Sequence, residues 1–164
     1  MIYYYFPTKR KNIVMNKNTI SEIKVSYSHS VQKNDRVTIS NSQDAHEVLR
    51  KVWDHDLIEL QEEFKVLLLN RANQVLGIYD VSKGGTNGTV VDVRLILAVA
   101  LKCNASAIIL AHNHPSGSLA SSGADKAVTK KIVGGGKLVD IVVLDHLIIT
   151  QNAYFSLADE RMIH

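Results

Sequence analysis

The residues best able to do chemistry are His112, His114 and Asp125, in Ala111-His112-Asn113-His114-Pro115-Ser116-Gly117 and the following Ser122-Gly123-Ala124-Asp125. Two histidines one residue apart, with an aspartate further on, form a candidate three-ligand metal set. The run before them, Ser106 to Ala111, is short and apolar, as a strand covered on both faces should be. Alternate side chains of an extended chain share a face. His112 and His114 therefore point the same way, about 6.5–7 Å apart at Cα for a rise of about 3.3 Å per residue. Imidazoles at that separation can converge on one ion at a nitrogen–zinc distance of about 2 Å. Asn113 points to the other side. Pro115 has no N–H to give a ladder, which puts both histidines at the strand's end.

Ser122 and Asp125 carry two readings. Ser-x-x-Asp is how a helix starts, with Ser122 as N-cap and Asp125 at the positive end of the helix dipole. A carboxylate in that first turn is also placed to complete a tetrahedral site whose fourth position goes to water, the pattern of a catalytic zinc. Spacing alone leaves open a third ligand or a capped helix beside two surface histidines.

His112-x-His114-Pro115 followed by Ser122-x-x-Asp125 resembles the JAMM motif of the JAB/MPN+ metalloprotease superfamily. The wording His112-Asn113-His114-Pro115-Ser116-Gly117 is similar to the RadC branch in particular. So are Phe64 to Asn70, the Gly84-to-Arg94 region and Leu144-Asp145-His146-Leu147, and the likeness runs from about Ser40 to Asp159. The resemblance implies zinc held by His112, His114 and Asp125, an upstream glutamate as general acid/base, and Ser122 stabilising an oxyanion. It implies a hydrolase, at superfamily level a metallopeptidase cutting an amide or isopeptide bond. RadC-like proteins are commonly labelled as DNA-repair proteins and often carry an N-terminal helix-hairpin-helix domain. This chain reads as a short form without one.

The glutamate is Glu62 or Glu63. The family pattern places it two residues before the phenylalanine that opens the first core strand, which selects Glu62. Alternation agrees, since Glu62 shares a face with Phe64, Val66 and Leu68, and Glu63 shares one with Lys65. A carboxylate on the more apolar face is expected to be partly desolvated, with a raised pKa suited to proton transfer. The alternative is that both are solvated charges at a strand end.

The elements that must position these residues follow from patterning. Residues 1–18, with Tyr3-Tyr4-Tyr5-Phe6 before Lys9-Arg10-Lys11, read as a flexible leader, and Met15 is a candidate natural start. From 19 to 60 we expect strands (Ile20 to Tyr27, then Val37 to Ile39) and a helix over Gln43–His55 capped by Ser40 or Ser42. The metal-binding core is expected over 61–164. Phe64–Asn70 and Gln74–Tyr79 form a hairpin through Arg71-Ala72-Asn73, with Ser82–Gly88 as loop. Thr89 caps a well-buried helix, Val90–Cys103, from which Arg94 makes a structural ion pair. Ser122–Val133 is an amphipathic helix that Gly134-Gly135-Gly136 ends. Leu138–Leu144 and Leu147–Thr150 are two further strands, and His146 between them is expected to make one structural hydrogen bond. His46 and His55 are surface or packing residues. Strands and helices interleave with hairpin and crossover connections, which predicts an α/β fold with a mixed sheet sandwiched by helices. The resemblance makes this a cytidine-deaminase-like JAB/MPN architecture.

Composition bounds partners. The 46% hydrophobic content of 164 residues is enough for one core, and a formal charge of +3 permits nucleic-acid contact without arguing for it. Cys103, the single cysteine, excludes an internal disulfide and fits a reducing, cytoplasmic setting. No apolar stretch is long enough for a membrane span. Three readings follow: a zinc peptidase acting on a peptide or protein, a zinc-dependent DNA-processing enzyme using the same activated water, and a catalytically silent binding module.

Overall fold

The computed structural model describes residues 31–85 and 88–163. The leader and the strand expected at Ile20–Tyr27 lie outside them. The segment that follows makes a 3-10 turn at Lys33–Asp35 and one β-bridge, Thr38 to Gln74, flanked by hydrogen bonds from Val75 N–H to Val37 O and from Ile39 N–H to Asn73 O. Where a strand was expected over Val37 to Ile39, a single bridge ties the chain to the hairpin.

Five strands form one sheet: β1 (Glu63–Leu69), β2 (Val75–Lys83), β3 (Ala107–Asn113), β4 (Val142–Ile149) and β5 (Tyr154–Ser156), in the order β2-β1-β3-β4-β5. β3 and β4 are parallel and the other neighbours antiparallel, so the sheet is mixed, as expected. A parallel pair needs a crossover. Helix α3 (Gly123–Lys137) supplies it, directly after the histidine stretch. Every residue of β1 and β3 is buried, because helices cover both faces. Phe64, Val66, Leu68, Ile108 and Leu110 pack against α2 (Val93–Lys102) and α3, whereas Leu67, Leu69, Ile109 and Ala111 pack against α1 (Ser42–Val52) and Trp53. No helix among the described residues is long and apolar enough to cross a membrane.

Several expected boundaries shift for local reasons. α1 is capped by Asn41, whose side chain accepts from Asp44 N–H at 2.9 Å, rather than by either serine. α2 begins at Val93 because Asp92 accepts from Arg94 N–H at 2.9 Å. Thr89, expected as the cap, instead donates its hydroxyl to Ser82 Oγ at 2.8 Å. Arg94 forks onto Asp92 at 3.0 and 2.7 Å, the structural pair anticipated, and this holds the Asp92 carboxyl down at about 2. α2 is buried on one side only: Ile96 and Ala100 are inside while Leu95 and Leu101 are about half exposed. Leu138–Asp140 is a turn leading into one continuous β4, where two strands were expected.

The glycines do not end α3. It runs through Gly134-Gly135-Gly136 to Lys137. At Gly136 a Cβ would collide with the Ile141 carbonyl oxygen, and at Gly135 it would meet Leu97 of α2 at 2.8 Å. Glycine here lets the helix lie close to its neighbours. Tertiary contact outweighs the roughly 1 kcal/mol per residue that glycine costs in a helix.

Candidate metal centre

The end of β3 delivers His112 to the α2/α3 face of the sheet, two positions beyond the buried Leu110. His114 follows just past the strand, anchored by its N–H to Ile149 O at 3.0 Å. Asp125 comes from the first turn of α3. The three converge: His112 Nε2 lies 2.9 Å from His114 Nε2 and 3.3 Å from Asp125 Oδ1, and His114 Nε2 is 3.8 Å from Asp125 Oδ2. One ligand atom from each falls within 4.8 Å of the others. His112 is buried and the other two are half-buried.

The cap reading of Ser-x-x-Asp holds, and it leaves one oxygen of the carboxylate outside the cap. Ser122 Oγ accepts from Asp125 N–H at 3.1 Å, and Asp125 Oδ2 accepts from Ser122 N–H at 2.7 Å, a complete capping box. Oδ1 remains turned to His112. Burial alone would raise the Asp125 pKa. The His112 ring and the Ser122 contacts outweigh it and hold the carboxyl well below its usual range.

The donor set suits a divalent cation. His114 Nδ1 lies 2.7 Å from the Ser118 carbonyl oxygen, which can only accept, so Nδ1 carries a proton and Nε2 is the ring nitrogen turned to the cluster. A nitrogen pair and a carboxylate aimed at one another are the ligand types zinc takes, and three protein ligands leave its fourth position free.

These residues form one side of a cavity of about 390 Å³. Glu62 lines it too, with Phe64, Gly88, Thr89, Val91, Ser122 and Val128. Glu62 is half-buried and immediately precedes β1. Its backbone is pinned by hydrogen bonds from Glu62 N–H to Gly85 O (3.0 Å) and from Gly84 N–H to Glu62 O (2.8 Å). Gly84 must be glycine, because a Cβ there would strike the Gly88 carbonyl.

A family model for the RadC-like JAB domain matches residues 39–162. The chain belongs to that family. A UPF0758 protein of Flavobacterium johnsoniae is 47% identical over 123 residues, covering 74% of this chain and 52% of that protein. One from Alkaliphilus metalliredigens is 46% identical over 103 residues, covering 63% of this chain and 44% of the relative. A third, STH371 of Symbiobacterium thermophilum, is 37% identical over 128 residues, 78% of this chain and 53% of the relative. The chain thus spans about half the length of the curated relatives it matches.

Within this JAB domain the two candidate glutamates separate as the alternation predicted, but burial falls the other way. Glu63 is the desolvated one, 1% exposed. It is paired with Lys65 Nζ at 2.9 Å and Lys83 Nζ at 2.7 Å. Burial would raise its pKa; the two lysines reverse that and lower it. Glu63 is thereby a structural anion, and Glu62 is the carboxylate that faces the cavity.

Two contributors were not foreseen. Asn113, between the ligands, is fully buried on the opposite face. Its Oδ1 accepts from Glu63 N–H at 2.7 Å, and its Nδ2 donates to Ile58 O (2.7 Å) and Gln61 O (2.8 Å). It therefore fastens the segment carrying Glu62 to the strand carrying the histidines. The second is the pair His146 and Thr129. His146 makes two hydrogen bonds where one was expected, Nε2 to His112 Nδ1 at 2.8 Å and Nδ1 to Thr129 Oγ1 at 2.6 Å. Burial holds its pKa well below the ordinary imidazole range, with His112 adding to the effect. The β3/β4 register slips by one residue between Ile108 and Ile109, where Val143 is followed by Asp145 as partner. Such a bulge re-aims a side chain. It turns His146 to the face of Val143 rather than that of Leu144 and Leu147. The one sequence hint was Thr129, a turn after Asp125 on the same side of α3.

Proposed function

We propose that this JAB domain is a zinc-dependent hydrolase of the JAMM type that cleaves an amide or isopeptide bond. The observation that carries the reading is the convergence of His112 Nε2, His114 Nε2 and the Asp125 carboxylate in a cavity that also contains Glu62. His112, His114 and Asp125 would hold the metal, which supplies Lewis acidity and brings the pKa of a water towards about 7. Glu62 takes a proton from the attacking water as the new C–O bond forms, and delivers it to the leaving nitrogen as the C–N bond breaks. Ser122 Oγ already accepts from Asp125 N–H. Its own hydroxyl proton is free to donate to the carbonyl oxygen as that oxygen gains charge. Phe64, Val91 and Val128 give the cavity an apolar wall, which strengthens each of these electrostatic contacts.

The test combines metal analysis with cleavage. Purified protein supplied with zinc should carry about one zinc per chain, and His114→Ala should carry none. The zinc-loaded protein should cut members of a peptide and isopeptide library. Glu62→Gln should keep its zinc and lose cleavage by about 100-fold or more, as removal of a general acid/base does. Metal-dependent nicking of DNA with all peptides intact would replace the amide reading with DNA processing. No zinc in the wild type would remove the hydrolase reading altogether.

A further inference from the structure

We infer that Thr129 and His146 are positioning residues that fix the ring tautomer of His112, so that its Nε2 meets the cluster as a lone pair. The inference follows from hydrogen-bond direction along a buried chain. Thr129 Oγ1 lies 2.6 Å from the backbone carbonyl oxygen of Asp125. That oxygen has no proton to give, so the single Thr129 hydroxyl proton lies between the two oxygens. Thr129 Oγ1 must then accept from His146 Nδ1, 2.6 Å away, which makes Nδ1 the protonated nitrogen of that ring. The His146 ring is 0% exposed and neither of its nitrogens is hydrogen-bonded to a carboxylate, conditions that disfavour an imidazolium. Its Nε2 is accordingly an acceptor, and the 2.8 Å contact to His112 Nδ1 is donated by His112. With the proton on Nδ1, the neutral His112 ring has its lone pair on Nε2, the nitrogen that faces His114 and Asp125.

The chain begins and ends on Asp125. Its backbone carbonyl sets the direction of the relay and its carboxylate is the neighbour of the nitrogen that the relay prepares. One helical turn of α3 thus supplies a candidate ligand and the reference for another ligand's tautomer. Outer partners of this kind typically change metal affinity about 10- to 100-fold when removed. That consequence rests on the metal reading above; the tautomer does not.

Long-range proton–nitrogen NMR correlation on the metal-free protein reports which ring nitrogen carries the proton. Wild type should show Nδ1–H on both His112 and His146, and Thr129→Ser should match it. Thr129→Val removes the acceptor for His146 Nδ1–H, and both rings should shift towards Nε2–H. Zinc affinity should fall about 10- to 100-fold in Thr129→Val and stay within about twofold in Thr129→Ser. An Nε2–H tautomer for His112 in the wild type, or rings unchanged in Thr129→Val, would overturn the inference. Should Thr129→Val fail to fold, the wild-type and Thr129→Ser spectra still decide it. Nδ1–H rings in a protein that takes up no zinc would leave the relay standing and remove the metal; zinc uptake with an Nε2–H His112 would do the reverse.

Discussion

Glu62 and Glu63 are adjacent in the chain, yet the fold gives them different surroundings. Glu63 sits under the sheet with Lys65, which is itself 5% exposed, bonded to Asp80 at 2.6 Å and placed 5.0 Å from the Trp53 ring centre. Removing one member of a buried pair leaves the other charge without its partner, at a cost of about 3–5 kcal/mol. We expect Glu63→Gln to sit near the lower end, about 3 kcal/mol at pH 7 by urea unfolding, because Lys65 keeps the more exposed Asp80. The sign of the pH dependence follows from the lowered Glu63 pKa. Its stabilisation is fully present above the ordinary glutamate value of 4.5 and is lost as pH falls through the lower folded value. The gap between wild type and Glu63→Gln should therefore close in acid. A gap that is constant with pH would show that the ion pairs contribute nothing through charge.

At the scale of elements, α3 departs furthest from its sequence pattern. Three consecutive glycines look like a stop signal, since glycine is the commonest residue just past a helix end. What the pattern does not contain is the backbone of Ile141 lying against the helix, which only the β3–α3–β4 crossover brings there. The three positions consequently differ. Gly134 is exposed, with nothing near its would-be Cβ, whereas Gly136 is buried against a carbonyl. Gly134→Ala should stabilise by up to about 1 kcal/mol, the helix-propensity difference. Gly136→Ala should destabilise by about 1–3 kcal/mol, the usual cost of forcing an atom into packed structure, despite the same propensity gain. Chemical unfolding of the two variants beside wild type checks both, and equal shifts of the same sign would refute the packing account. The start of α2 makes a similar point: Thr89 and Asp92 are both plausible caps by type, and the structure gives the cap to Asp92 while Thr89 bonds Ser82 across the loop.

Across the whole molecule, what was legible depended on distance along the chain. His112, His114 and Asp125 fall within one strand–loop–helix unit, so strand alternation put both histidines on one face and the helix start put Asp125 close behind them, while its grouping with the histidines came from the resemblance. The mixed sheet between helices followed in the same way from interleaved patterns. His146 and Asn113 escaped because their partners lie 17 to 55 residues away, and because a one-residue bulge in β4 decides which face His146 joins. The same wiring gives the candidate centre a mechanical role. It joins β3 to α3, and through Asn113 it is coupled to the segment ahead of β1, so three separate elements are tied at one end of the sheet. An ion held there binds the native chain alone and stabilises it by about 4 kcal/mol when free zinc is a thousand times its dissociation constant. At about 2–4 °C per kcal/mol for a chain of this size, the melting temperature should rise by about 10 °C on zinc addition and fall back with a chelator. His114→Ala should show neither shift, while Glu62→Gln should show both, because Glu62 faces the cavity without belonging to the converging trio. A zinc-induced rise that survives in His114→Ala would mean that the ion binds elsewhere.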